Sequence, residues 1–229
     1  MSREWVRIVH RESLNGWHFG LHAAALSASQ ALLALQRENW ALAAILVVAL
    51  LGNVAARARD EVGYWSVAGI VYIALPCFAL VWLRQQPFGF ETVLWVFLVV
   101  WATDSAAYLA GSVFGGPKLA PAISPSKTWV GAVAGLAAGA AATIGWAQFL
   151  GWVPVAPFLA AGFALAFLTQ CGDLAESFLK RTFGVKDASD LIPGHGGALD
   201  RLDGMIFATL GLAAYVAWAG QSPIAWIAP

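Results

Sequence analysis

Apolar residues run along this chain in long stretches separated by short polar islands, and the lengths of those stretches decide the reading. Runs of about 17–25 residues can cross a bilayer as helices, the form in which backbone N–H and C=O groups find partners without water. Seven such runs are expected, over 17–36, 40–56, 64–83, 92–114, 128–150, 155–172 and 203–220. The first is the least regular: His18, His22, Ser27, Ser29 and Gln30 interrupt it, so it either lines a polar interior or lies partly in the interface. The pattern predicts an all-α polytopic membrane protein with about seven transmembrane helices, a single integral membrane domain over 1–229.

Composition sharpens this. The chain is 60% hydrophobic and 11% charged, with a mean hydropathy of +0.70, against about 45–50% and about 25% for a soluble domain. Twelve tryptophans suit membrane interfaces, where an indole presents an apolar face and a polar N–H. A formal net charge of +0 points to no nucleic-acid partner. Cys77 and Cys171 lack the close spacing of a zinc site and read as buried thiols. The polar leader before the first run is too long for a cleavable signal peptide, so targeting is expected to rest on the spans.

Basic residues orient the spans. With seven crossings, one set of loops holds eleven of them, from Arg3, Arg7 and Arg11 through Arg57, Arg59, Lys118, Lys127, Lys180, Arg181 and Lys186 to Arg201. The other set holds only Arg37 and Arg84. The positive-inside rule then places the N-terminus and the loops after residues 114 and 172 in the cytoplasm. The small-residue stretch 131–145, with Gly131 and Gly135 four apart, is a surface for close helix contact and leaves a homodimer open.

Charge is concentrated between Asp173 and Asp203, where six acids and four bases fall in 31 positions. Asp173, Glu176, Ser177 and Lys180 share one face if the segment is helical. Asp200 and Asp203 are three apart where the last run begins. Such carboxylates suit a hard divalent cation such as Mg²⁺, or equally a salt-bridge network with Lys180, Arg181 and Arg201. Between the acids lies Pro193-Gly194-His195-Gly196-Gly197, whose glycines let backbone N–H groups approach an anion, with Lys186 and Arg201 flanking it. His195 is either a phosphate donor, a proton-transfer group or a plain turn residue. A second island runs from Asp104 to Trp129. Asp104 sits inside an apolar run, a position that marks function or a bond to a neighbouring helix. Lys118 and Lys127 could meet phosphates, while Ser126, Lys127 and Thr128 could equally cap the span that follows.

These residues resemble a known motif. Ser177-Phe178-Leu179-Lys180-Arg181, then Lys186-Asp187, His195-Gly196-Gly197 and Asp200-Arg201-Leu202-Asp203 are similar to the C-terminal pattern of phosphatidate cytidylyltransferases, and every fixed position is filled. The resemblance extends from about residue 64 to 220 and implies transfer of CMP from CTP to phosphatidic acid, with release of pyrophosphate and a required divalent cation such as Mg²⁺. It implies a place in phospholipid biosynthesis, in the inner membrane of a bacterium, with the segment 173–204 at the cytoplasmic face. Asp173, Asp200 and Asp203 would be metal ligands or their support. Lys180, Arg181 and Arg201 would neutralise phosphates, with His195 beside them. Lys127, Lys186, Ser177, Asp104 and the turn containing Gly194, Gly196 and Gly197 would contact substrate.

The chain departs from the family where Ser112, Ser126 and Val130 replace a basic residue, a Lys and a Glu, and where two usual N-terminal spans are not seen before Arg3-Glu4-Trp5. A transporter binding phosphorylated lipid without chemistry, or a non-catalytic relative, are the rival readings.

Overall fold

The structure is a computed structural model, and it describes residues 1–10, 16–61, 63–186, 188–189 and 197–228. Among these are eight α-helices: α1 (Ser2–His10), α2 (Gly16–Ala34), α3 (Glu38–Arg57), α4 (Gly63–Gln85), α5 (Gly89–Phe114), α6 (Trp129–Phe149), α7 (Ala156–Thr182) and α8 (Leu199–Ala219). Six of them, α3 to α8, are long and apolar enough to cross a membrane, against the seven runs expected. The difference is α2. It forms as a helix of 19 residues, but its polar residues keep it out of the strongly apolar class. His18, His22 and Ser29 on it are buried, so its polar side is turned into protein. Of the exposed tryptophans, Trp40, Trp129 and Trp218 stand at helix ends, where an interface belt places them, while Trp101 lies in the middle of α5. Cys77 and Cys171 are free and only half-buried, less enclosed than expected.

One departure from an all-helical chain lies in the second polar island. Strand β1 (Lys118–Ala120) pairs antiparallel with β2 (Ser124–Thr128), with Lys118 opposite Thr128 and Ala120 opposite Ser124. The hairpin runs straight into α6, and Thr128 serves as its N-cap, its Oγ1 accepting from Gly131 N at 3.1 Å.

The chain forms two compact units. In the first, Met1–Trp82 with Phe183–Arg201, Trp5 of α1 lies on Gly69 and against Tyr72, with ring centroids 5.3 Å apart. Trp82 Nε1 donates to Glu38 Oε2 at 2.8 Å, tying α4 to α3. Glu4 of α1 is buried, and its carboxylate accepts from Ser189 Oγ (2.6 Å), Ala198 N (2.7 Å) and Leu199 N (2.9 Å), with the Met1 amino group at 3.0 Å. Burial alone would raise its pKa, but those donors outweigh burial and hold the carboxyl below its ordinary value.

In the second unit, Leu83–Thr182 with Leu202–Pro229, glycines set the packing. Gly131, Gly135 and Gly139 lie one turn apart on the buried face of α6. A Cβ on Gly135 would sit 3.0 Å from Thr103 O and 2.9 Å from Gln170 Nε2, so α5 and α7 both approach α6 at this point. Gln170 Nε2 also donates to Ala132 O at 2.9 Å. Deeper in, Trp95 Nε1 donates to Thr143 Oγ1 at 3.0 Å and its ring lies 4.7 Å from that of Phe158. A short 3₁₀ turn, Pro223–Trp226, is tied back to α5 by the 2.7 Å bond between Thr92 Oγ1 and Ser222 Oγ.

Two outcomes follow for stability. Gly135→Val should lower the thermal midpoint in detergent, by the roughly 1–3 kcal/mol that overpacking costs, whereas Gly145→Ala, where an added Cβ meets nothing within 4 Å, should leave it unchanged. For Glu4 the depressed pKa means its stabilisation is fully present above the unfolded value of about 4.3 and is lost as pH falls through the folded value. Thermal midpoints of wild type and Glu4→Gln should therefore differ at pH 6–7 and converge as acid is added; a gap that persists at the lowest pH would contradict this.

Candidate active site

Helix α7 continues without a break from the membrane run to Thr182, so Asp173, Glu176, Ser177 and Lys180 do share one helical face. Glu176 is buried, and Lys180 Nζ reaches it across one turn at 2.8 Å. One residue further on, Arg181 Nε donates to Ile123 O at 3.2 Å, which joins the end of α7 to the hairpin. The hairpin presents Lys127 in turn, whose Nζ pairs directly with Asp173 Oδ2. Of the two readings of the Ser126-Lys127-Thr128 segment, capping is seen directly at Thr128, while Lys127 is turned to the acids rather than to the cap.

Asp203 arrives from α8 by a close crossing with α7. A Cβ on Gly172 would sit 3.1 Å from Gly204 Cα, and one on Gly204 would sit 3.2 Å from Thr169 O. The two glycines adjoin the two acids, so the backbone contact brings Asp173 and Asp203 alongside one another. Asp203 is buried and accepts the N–H of Gly204 at 2.7 Å. Its carboxylate lies within electrostatic reach of Asp173, Glu176 and Asp104. Asp104, half-buried on α5, interacts with Asp173 and Lys127. Three helices and a hairpin therefore gather four carboxylates and two lysines at one end of this unit.

The fit to a cation follows from that charge balance. Among the described residues, four acids face two lysines, and a cation relieves the repulsion that remains. No three His, Cys, Asp or Glu side chains among the described residues stand in ligating geometry as a ready-made cluster. The donors are carboxylate oxygens spread over three helices, a set that would suit Mg²⁺ completed by water and phosphate oxygens rather than an all-protein cage.

The remaining expected residues belong to the first unit or lie outside the described residues. Asp200 Oδ2 accepts from Gly197 N at 2.7 Å and Ala188 N at 3.0 Å, so its carboxylate fixes the chain at the entry to α8. Lys186 and Arg201 are exposed. Gly197 packs against Glu4, and a Cβ there would lie 2.8 Å from Ser189 Oγ. His195, Gly194 and Gly196 lie outside the described residues. Two groups had no place in the expected site. Glu176 was legible from its spacing on the charged face; Glu4, nearly 200 residues from its partners, gave no local signal.

The family model described as the cytidylyltransferase family matches residues 1–219. A protein of Brucella suis named phosphatidate cytidylyltransferase is 49% identical over 150 residues, covering 63% of this chain and 54% of its own length. The chain thus matches about half the length of that relative. A Pseudomonas aeruginosa protein of the same name is 37% identical over 239 residues, covering 99% of this chain and 85% of its own length, and one from Haemophilus influenzae is 35% identical over 181 residues, covering 64% and 63%. With a family match across nearly all of its residues, this chain belongs to the cytidylyltransferase family.

Proposed function

We propose that the protein is a phosphatidate cytidylyltransferase that uses a divalent cation, Mg²⁺ foremost, to make CDP-diacylglycerol from CTP and phosphatidic acid. The observation that carries this reading is the meeting of Asp104, Asp173, Glu176 and Asp203 with Lys127 and Lys180. An oxygen of the lipid phosphate would attack the α-phosphorus of CTP, forming one P–O bond while the bond to the β-phosphate breaks and its electron pair leaves with pyrophosphate. No side chain needs to act as nucleophile. When bound, the cation would neutralise phosphate oxygens and the charge developing on the leaving group.

Asp173 and Asp203 would hold that cation, with Asp104 in support. Lys127 is paired with Asp173 and would neutralise a phosphate oxygen of the substrate. Lys180 and Arg181 extend the positive charge along α7. Motif resemblance adds Asp200, Arg201, Lys186, Ser177, His195 and the glycines Gly194, Gly196 and Gly197. Catalysis of this type rests on positioning and on electrostatic stabilisation rather than on covalent chemistry.

Orientation can be argued by parity. Glu4 bonds residues 189, 198 and 199, so α1 and the entry to α8 lie on one side of the membrane. The five apolar helices α3 to α7 between them make an odd number of crossings. The chain returns to the same side only if α2 crosses as well, with its polar face turned inward. That restores seven crossings and the strong bias of basic residues to one side. The positive-inside rule then makes that side cytoplasmic, where CTP is available. Bacterial relatives favour the inner membrane.

Purified protein given labelled CTP, phosphatidic acid and Mg²⁺ should yield a lipid-soluble labelled product, and chelation should abolish it. Asp173→Ala and Asp203→Ala should lose at least about 100-fold in kcat, the scale of removing one preorganised electrostatic contact. Lys127→Ala should raise the KM for CTP more than it lowers kcat. A folded wild type that binds CTP yet forms no product would identify a non-catalytic member of the family.

A further inference from the structure

We infer that Glu4 is a positioning residue for this reaction, a remote carboxylate that fixes the first turn of α8 and with it Asp200 and Arg201; the inference rests on the functional reading above. The first N–H groups of a helix have no partner within it. At α8 those groups follow a segment in which Gly197 and Leu199 are buried, so water cannot readily serve them. Two carboxylates do so instead. Asp200 accepts from Gly197 N, and Glu4 accepts from Ala198 N through Oε1 and from Leu199 N through Oε2. Three consecutive amides are thereby held by two acids. Negative charge at this end of a helix is also favoured by its dipole.

Glu4 does more than cap. Its Oε1 also accepts from Ser189 Oγ at 2.6 Å, while Asp200 Oδ2 takes the N–H of Ala188 at 3.0 Å. Residues 188–189 and 197–199 are therefore tied to the same pair of carboxylates, and the chain leaves and re-enters at neighbouring points. Gly197 fits because a side chain there would collide with the Glu4 carboxylate and with Ser189 Oγ. Immediately beyond the pinned amides come Asp200 and Arg201, two residues of the matched motif. Their position follows from where α8 begins, and Glu4 sets where it begins.

The arrangement requires a carboxylate in particular. Both oxygens face N–H donors, so an amide in either orientation would set its NH₂ against a backbone N–H. Glu4→Gln keeps the volume of the side chain, removes its charge and creates that donor–donor opposition. Ser189→Ala removes one donor and leaves the carboxylate in place.

The test uses the full chain in detergent, with hydrogen exchange of the peptide spanning 197–203 measured beside CMP-transfer kinetics. Glu4→Gln should speed exchange at residues 198–199 while α5 to α7 keep their protection. It should lower kcat about 10- to 100-fold, as loss of a supporting contact does, with the KM for CTP moving less than about threefold. Ser189→Ala should shift both readouts in the same direction by less. Unchanged exchange, or a kcat equal to wild type, would overturn the inference, as would a loss of activity that only tracks the folded fraction. If Glu4→Gln does not fold, Ser189→Ala decides: a folded variant with reduced kcat supports the assignment and full kcat overturns it. A wild type that transfers no CMP sinks the functional reading instead, and exchange at 198–199 still decides whether Glu4 anchors α8.

Discussion

Burying a carboxylate among membrane helices costs several kcal/mol unless charge or hydrogen bonds offset it. The second unit of this protein gathers four carboxylates at one end of its helices, Glu176 and Asp203 buried and Asp104 and Asp173 partly so. Two unit charges about 5 Å apart at an effective dielectric of about 20 interact by roughly 3 kcal/mol, so neither the repulsions nor the lysine pairs are small terms here. Lys127 on Asp173 and Lys180 on Glu176 offset part of the cost. The remainder makes this end of the unit a place where added positive charge is stabilising, the electrostatic condition on which the proposed divalent cation rests. A site of this kind is destabilised before its ligand arrives, and the surrounding helices must be packed well enough to tolerate it.

That tolerance comes from glycine. The dipeptides Gly172-Asp173 on α7 and Asp203-Gly204 on α8 place each acid next to the residue that permits the crossing. Packing and chemistry therefore use one contact: close backbone approach sets how near the two carboxylates stand. On α6 the buried row of Gly131, Gly135 and Gly139 plays the corresponding part against α5, where Asp104 sits one residue beyond Thr103. Van der Waals contact between small-residue surfaces is a main source of helix association in lipid, where no hydrophobic difference drives it. The same frame that stabilises the unit thus holds the acids at their spacing.

Features with a local cause were legible in the sequence. The apolar runs gave α3 to α8 because length and composition suffice, and the i, i+3, i+4, i+7 spacing put Asp173, Glu176, Ser177 and Lys180 on one face. The position of α2 was legible too, although composition alone left open how its polar residues were housed; burial of His18, His22 and Ser29 answers that. What stayed hidden depends on contacts across long stretches of chain. The hairpin over Lys118–Ala120 and Ser124–Thr128 lies in a Pro- and Ser-rich loop with no alternating pattern. The tie between Glu4 and residues 189, 198 and 199 joins the two ends of the sequence, and no periodicity encodes it. The bonds that Asp200 makes to Gly197 and Ala188 were likewise invisible beside its motif position.

The two helices that enter from polar segments satisfy their first amides in opposite ways, and the difference bears on how the site is assembled. Helix α6 carries its own cap: Thr128 Oγ1 lies three residues from Gly131 N, so the cap forms whenever the helix does. Lys127 is the neighbour of that cap and a member of the β-hairpin, and its backbone is therefore placed by local structure alone. Helix α8 takes acceptors from its own second residue and from Glu4, and the latter is available only once α1 has docked through Trp5 against Gly69 and Tyr72. An isolated carboxylate cap contributes on the order of 1 kcal/mol. Here the carboxylate accepts two amides and a hydroxyl in a buried setting, so losing it leaves several donors unsatisfied at once. The backbone of the lysine that faces the acids is thus set by local structure, while the start of the motif helix depends on tertiary contacts.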